Sequence, residues 1–130
     1  MLVVDDHELV RRGLCGLLQS QADIEIVCEG SNGHEAVLFA KEYRPDLVLL
    51  DIVMPVMNGF EAARLIKQEL PDTRILMVSQ CDSQAHVKEA FAAGANGFVI
   101  KDKAATDLVP AVRRISWPPT ATLPMMPDEI

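Results

Sequence analysis

The sequence predicts an α/β fold: an open, doubly wound parallel sheet with helices on both faces. Three observations carry that prediction. Short apolar, β-branched runs alternate with segments of helical periodicity along the chain. Leu47-Val48-Leu49-Leu50 is apolar at four consecutive positions, which suits a strand covered on both faces. The connections are too short for a closed eight-fold barrel, so an open sheet of five strand–helix units is the economical arrangement. Such a sheet places its ligand site at the carboxyl ends of the strands.

Taken in order, Met1–Val4 is an apolar first strand ending in Asp5-Asp6. His7–Gln19 has helical spacing, with Leu9, Val10, Leu14, Leu17 and Leu18 on one face and Asp6 placed to cap it. Ile24–Cys28 is rich in β-branched residues and predicts the second strand. The turn Gly30-Ser31-Asn32-Gly33 leads into a helix over Gly33–Glu42, which Pro45 closes off. The third strand runs through Leu47–Leu50 and ends at Asp51. Pro55 and Asn58-Gly59 mark a loop before an amphipathic helix, Phe60–Leu70, with Phe60, Ala63, Ile66 and Leu70 on one side. Pro71-Asp72 breaks it. Ile75–Val78 is the fourth strand, ending at Ser79. Gln84–Ala93 is a helix stopped by Gly94, and Gly97–Ile100 is the fifth strand, ending at Lys101. A last helix spans about Thr106–Ile115. With Thr106 as its cap, Pro110 would remove only a first-turn hydrogen bond. There are no internal repeats.

The chain has 130 residues, 49% hydrophobic, with a net charge of −7. That suits one domain with a real core, over residues 1–115, followed by a Pro-rich linker or disordered tail over 116–130. An acidic chain of this size is a poor nucleic-acid binder by itself. No apolar run approaches a membrane span and the start does not resemble a signal peptide, so a cytoplasmic location is expected. Cys15, Cys28 and Cys81 have neither metal nor disulfide spacing and are expected to be small buried thiols. His7, His34 and His86 are expected at the surface or at caps, in no zinc-like pattern. Arg11-Arg12 is expected on a solvated helix face.

The informative residues stand at the strand ends. Asp5, Asp6, Asp51, Ser79 and Lys101 would converge on one crevice. Three crowded carboxylates repel one another and call for a counter-charge. All-oxygen ligands select a hard cation, and few protein ligands plus water suit Mg²⁺ better than Ca²⁺. A carboxylate can attack phosphorus to form an aspartyl phosphate, and phosphoryl transfer needs mainly alignment and charge neutralisation.

Val3-Val4-Asp5-Asp6-His7, Pro45-Asp46-Leu47-Val48-Leu49-Leu50-Asp51 with Met54-Pro55 and Asn58-Gly59, and Gly94-Ala95-Asn96-Gly97-Phe98-Val99-Ile100-Lys101 together resemble the response-regulator receiver domains, nearest the NarL/FixJ type. The resemblance covers about residues 2–115. It implies a flavodoxin-like, three-layer α/β/α sheet of order 2-1-3-4-5. It implies Asp51 as phosphoacceptor and Mg²⁺ held by Asp6, Asp51 and the backbone carbonyl of Val53, with Asp5 acting through water or by orienting Lys101. Lys101 would contact the phosphoryl oxygens, Ser79 would be the switch hydroxyl and Phe98 the switch aromatic, with plain core packing as the other reading of Phe98. The donor would be a phosphohistidine on a sensor histidine kinase. A signalling phosphoacceptor of this kind is not an enzyme, beyond catalysing its own phosphorylation and dephosphorylation. A homodimer would use helix 4, strand 5 and helix 5, or else helices 1 and 5.

The chain departs from the family pattern at several points. Ser79 stands for the commoner threonine and keeps the hydroxyl. Gln80 stands where a small residue leaves the site open, and would restrict access. Phe98 lacks the hydroxyl of the commoner tyrosine. Val53 and Cys81 orient a water poorly, so slow self-dephosphorylation is expected. The first strand is short for a central one. Two outputs fit: a transcription regulator whose DNA-binding domain lies outside this chain, or a stand-alone receiver that relays phosphate or binds proteins. A haloacid-dehalogenase-type phosphatase would need an Asp where Val53 stands. A flavin-binding domain would need a hydroxyl-rich loop where Asp5-Asp6-His7-Glu8 would repel the phosphate.

Overall fold

A computed structural model of the chain describes residues 1–116. Apart from Ser116, the Pro-rich segment expected over 116–130 lies outside the described residues. Among these residues, five strands and five helices alternate: β1 Leu2–Val4, α1 Glu8–Gln19, β2 Cys28–Gly30, α2 Gly33–Tyr43, β3 Leu47–Asp51, α3 Gly59–Glu69, β4 Arg74–Ser79, α4 Gln84–Ala92, β5 Gly97–Ile100 and α5 Ala104–Ser116. The sheet is parallel, in the order β2-β1-β3-β4-β5. The expected doubly wound, flavodoxin-like topology is therefore present.

Strand side chains alternate between faces, and this divides the interior in two. Leu2, Val4, Val48, Leu50, Ile75 and Met77 face α2, α3 and α4, where Ala36, Ala40, Ala63, Ile66 and Ala90 close the layer. Val3, Leu49, Leu76, Val78 and Val99 face the other way, onto Leu14 and Leu18 of α1 and Leu108 and Val112 of α5. All five residues of β3 are buried, as its unbroken apolar run requires.

The helix starts follow local chemistry. Asn32, Asn58 and Ser83 accept from the backbone N–H of Glu35, Glu61 and His86, satisfying first-turn donors that would otherwise lack partners. Gly94 turns the chain out of α4 with φ +110, a conformation that an L side chain rarely adopts.

Several expectations need correction. Asp6 does not cap α1. His7 holds the cap position without a side-chain cap bond, and its own backbone N–H donates to the Asp5 carboxylate. Leu9 and Val10 do not join the buried face of α1. They are exposed on its first turn. The second strand is Cys28–Gly30, not Ile24–Cys28. Leu2 pairs with Cys28, so the three-residue β1 offers no longer ladder. Ile24 and Ile26 still pack on the α1/α5 core, ahead of the strand. The last helix begins at Ala104, so Thr106 is not its cap and Pro110 lies in its interior, on the exposed side. Cys15 is buried, but Cys28 is only partly covered and Cys81 is exposed.

Candidate functional site

The parallel register delivers the polar strand ends to one place. Val4 pairs with Leu50, Asp51 with Val78, and Ser79 with Ile100, so Asp5, Asp51, Ser79 and Lys101 emerge side by side. The last three open on a cleft of about 430 Å³, lined also by Asp6 and the exposed Val53 and Gln80.

Asp5 is fully buried and held from several sides. Its backbone N–H donates to Gly30 at 3.1 Å, its Oδ1 accepts the His7 N–H at 2.9 Å, and its backbone carbonyl accepts from Arg11 Nη1 at 2.8 Å. Arg11 also pairs with Glu29 at 3.0 Å. It is therefore a scaffold for the site, whereas Arg12 is solvated as expected and, among the described residues, pairs with Glu8. An arginine one turn into α1 faces back toward the strand ends, a signal the sequence carried but that adjacency in sequence to Arg12 concealed.

Lys101 lies between two carboxylates, with Nζ 2.8 Å from Asp5 Oδ2 and 3.2 Å from Asp51 Oδ1. Burial opposes its charge, yet the two carboxylates outweigh burial and hold its pKa above the usual lysine value. Asp51 Oδ1 also accepts the Ile52 N–H at 2.8 Å. Burial first, and the Asp5 charge second, push the Asp51 pKa up to about 6, against the opposing pull of Lys101.

The loop after Asp51 is tightly drawn. Gly59 donates its N–H to the Ile52 carbonyl at 2.8 Å, and a Cβ there would lie 2.3 Å from the Asp51 carbonyl oxygen. Only glycine permits α3 to start this close to the acidic residue. Between them, Val56 has φ +71 and Met57 N–H donates to the Pro55 carbonyl, a strained three-residue turn.

The residues fit a divalent cation. Asp5, Asp6 and Asp51, together with His7, each offer one donor atom, all within 4.8 Å of one another. Asp5 Oδ2 and Asp6 Oδ1 are buried and accept no hydrogen bond. The first is met by the Lys101 ammonium, and the second faces only the His7 Nδ1, at 3.1 Å. Asp6 Oδ1, a buried carboxylate oxygen without a hydrogen-bond donor, is what a hard cation requires. His7 was expected to be a surface or cap residue. It is exposed, but its ring stands against the acidic pair.

Ser79 is buried and its hydroxyl accepts the Cys81 N–H at 3.1 Å. The same oxygen lies 3.2 Å from His86 Nε2. His86 is thus no mere surface residue. Its half-buried ring packs edge-on against Phe60, at 5.2 Å between centroids, and against Phe98, at 6.3 Å. Phe98 does not reach the cleft. It packs partly buried against the α2/α3/α4 core and meets Ser79 only through His86. The expected site residues Asp6, Asp51, Ser79, Lys101 and Val53 line the cleft, Asp5 is fully buried beneath it against Lys101, and Phe98 lies behind it.

Comparison with known proteins gives a consistent result. A family model described as the response regulator receiver domain matches residues 1–113. The response regulator protein VraR of Staphylococcus aureus is 42% identical over 116 residues, 89% of this chain and 56% of VraR. This chain spans about half the length of such curated relatives. The signal receiver domain of the response regulator NarL from Mycobacterium tuberculosis is 36% identical with a TM-score of 0.84, covering 88% of this chain and 93% of that one. A two-component response regulator of the LuxR family from an Aurantimonas species is 35% identical with a TM-score of 0.85, covering 88% and 82%.

Proposed function

The chain belongs to the response regulator receiver domain family, and on that premise we propose that Asp51 is its phosphoacceptor, served by a Mg²⁺ ion bound beside it. The observation that carries this reading is Asp51 itself: a buried carboxylate at the end of a central strand, open to a cleft and 3.2 Å from the partly buried Lys101 ammonium. Asp51 Oδ1 is occupied by the Ile52 N–H and Lys101, so Oδ2 is the oxygen that attacks phosphorus. An O–P bond forms as the P–N bond of a phosphohistidine on a sensor histidine kinase breaks, and the donor imidazole leaves with the electron pair of that bond. Lys101 turns from Asp51 to the incoming phosphoryl oxygens and Ser79 donates its hydroxyl proton to one of them. Asp6, Asp51 and the Val53 backbone carbonyl would hold the cation, with Asp5 acting indirectly by fixing Lys101. When bound, the cation supplies positive charge to the phosphoryl oxygens and offsets the repulsion among the three carboxylates. The chain's own catalysis extends only to gaining and losing this phosphoryl group.

Residues 1–115 would then be the receiver and 116–130 a Pro-rich linker or disordered tail. The chain's likeness to part of the longer VraR supports a transcription regulator whose DNA-binding domain lies elsewhere in a full protein. Phosphorylation would shift a pre-existing balance of conformations, with Ser79 and Phe98 as the switch residues. Among the described residues no helix is long and apolar enough to cross a membrane.

The test is incubation with acetyl phosphate and Mg²⁺, read by intact mass. A single phosphoryl addition is expected, lost in Asp51→Asn and in the presence of a chelator. A folded wild-type chain that gains no mass, or an addition that persists in Asp51→Asn, would sink the assignment.

A further inference from the structure

The Ser79 hydroxyl has one proton and two lone pairs to distribute. The Cys81 N–H occupies one lone pair at 3.1 Å, and His86 Nε2 stands at 3.2 Å from the same oxygen. Two arrangements satisfy these neighbours. In one, Nε2 is bare and the hydroxyl donates its proton to His86, leaving none for the cleft. In the other, His86 carries its proton on Nε2 and donates to Ser79. The two N–H groups then fill both lone pairs, and the hydroxyl proton is free to point at the cleft. The two tautomers of a neutral imidazole correspond to these two arrangements.

The imidazole is fixed well enough to act in this way. Its backbone N–H donates to the Ser83 cap at 3.2 Å, so the residue sits in the anchored first turn of α4. Phe60 from α3 and Phe98 from β5 meet the ring edge-on, at interplanar angles of 72° and 86°. The ring therefore touches the hydroxyl on one side and two separate elements on the others.

We infer that His86 is the positioning residue of the Ser79 hydroxyl, and that phosphorylation of Asp51 reverses the polarity of the Ser79–His86 hydrogen bond. This deepens, and rests on, the assignment of Asp51 as phosphoacceptor. A phosphoryl oxygen is anionic and accepts more strongly than a neutral imidazole nitrogen, so it draws the hydroxyl proton into the cleft. His86 answers by taking the Nε2–H tautomer, exchanging the proton on its other nitrogen with solvent. Its ring adjusts to keep the bond and carries the change to Phe98. The link from Ser79 to Phe98 is thus a hydrogen bond to an imidazole followed by a ring contact.

The experiment is nitrogen NMR of the His86 ring in the ¹⁵N-labelled chain, with His86→Phe used to identify its signals. In the unmodified protein Nε2 is expected to show an unprotonated shift, and Ser79→Ala is expected to alter the tautomer balance. Ring nitrogens identical in wild type and Ser79→Ala would overturn the hydrogen bond. After acetyl phosphate and Mg²⁺, with full addition established by mass, Nε2 is expected to move to the protonated range. A Nε2 that stays bare in fully phosphorylated protein would overturn the reversal. His86→Phe keeps a ring but not the nitrogen, so the phosphorylation-dependent shift of the Phe98 ring is expected to vanish, and a shift of wild-type size would count against the link. If mass shows no phosphoryl addition, the phosphoacceptor assignment and the reversal fall together, while the Ser79→Ala comparison still decides the hydrogen bond.

Discussion

Asp51 has a pKa raised to about 6 by burial and by the neighbouring Asp5 carboxylate. An unfolded Asp titrates near about 4, so between those values the folded chain keeps a proton that the unfolded chain has released. Folding therefore takes up a proton, and this residue's contribution to stability falls as pH rises through the window. The stability of metal-free wild type relative to Asp51→Asn is expected to decline from about pH 4 to about pH 6. Urea unfolding of both chains in chelator measures it, and a difference that stays constant with pH would contradict the raised pKa. At this scale the sequence was informative wherever chemistry sits immediately after an apolar run: Asp5, Asp6, Asp51 and Lys101 all do. It was silent on His86, because the partners of that ring, Ser79, Phe60 and Phe98, come from three other elements.

Among the elements, α5 holds the clearest local conflict. Pro110 is the seventh residue of a helix that starts at Ala104, so the Thr106 carbonyl loses its helical N–H partner. The conflict is tolerable because Pro110 lies on the exposed side while Leu108 and Val112 face the core. An interior proline costs about 3 kcal/mol, of which its stiffening of the unfolded chain offsets up to about 1 kcal/mol. Pro110→Ala is thus expected to stabilise the chain by roughly 2–3 kcal/mol, raising the thermal midpoint by several degrees for a domain of this size. An unchanged or lower midpoint would show that α5 has adapted its geometry to the proline. The element boundaries that the sequence misplaced have similar causes. The second strand is set by what β1 can pair with, not by its own β-branched residues. The start of α5 is set by the short 3-10 turn Lys101–Lys103 that follows β5.

Across the whole molecule, two packed layers force the polar strand ends together, and the repulsion this creates is what a cation relieves. A ligand that binds only the folded chain stabilises it by about 2.7 kcal/mol at a concentration 100 times its dissociation constant. Saturating Mg²⁺ is therefore expected to raise the thermal midpoint, most clearly above pH 6, where Asp51 has given up its proton. Asp6→Ala is expected to lose most of that rise. Equal midpoints for wild type with and without Mg²⁺ would argue against a cation at the three carboxylates. By itself the sequence determined the alternation of strands and helices, the burial of β3 and the identity of the strand-end groups, because periodicity, apolar runs and caps are local physical constraints. Tertiary structure alone decided how far β2 runs, that Leu9 and Val10 face outward and that His86 stands between Ser79 and Phe98. These depend on distances between residues far apart in the chain, which packing of the sheet against its helices sets and no local pattern encodes.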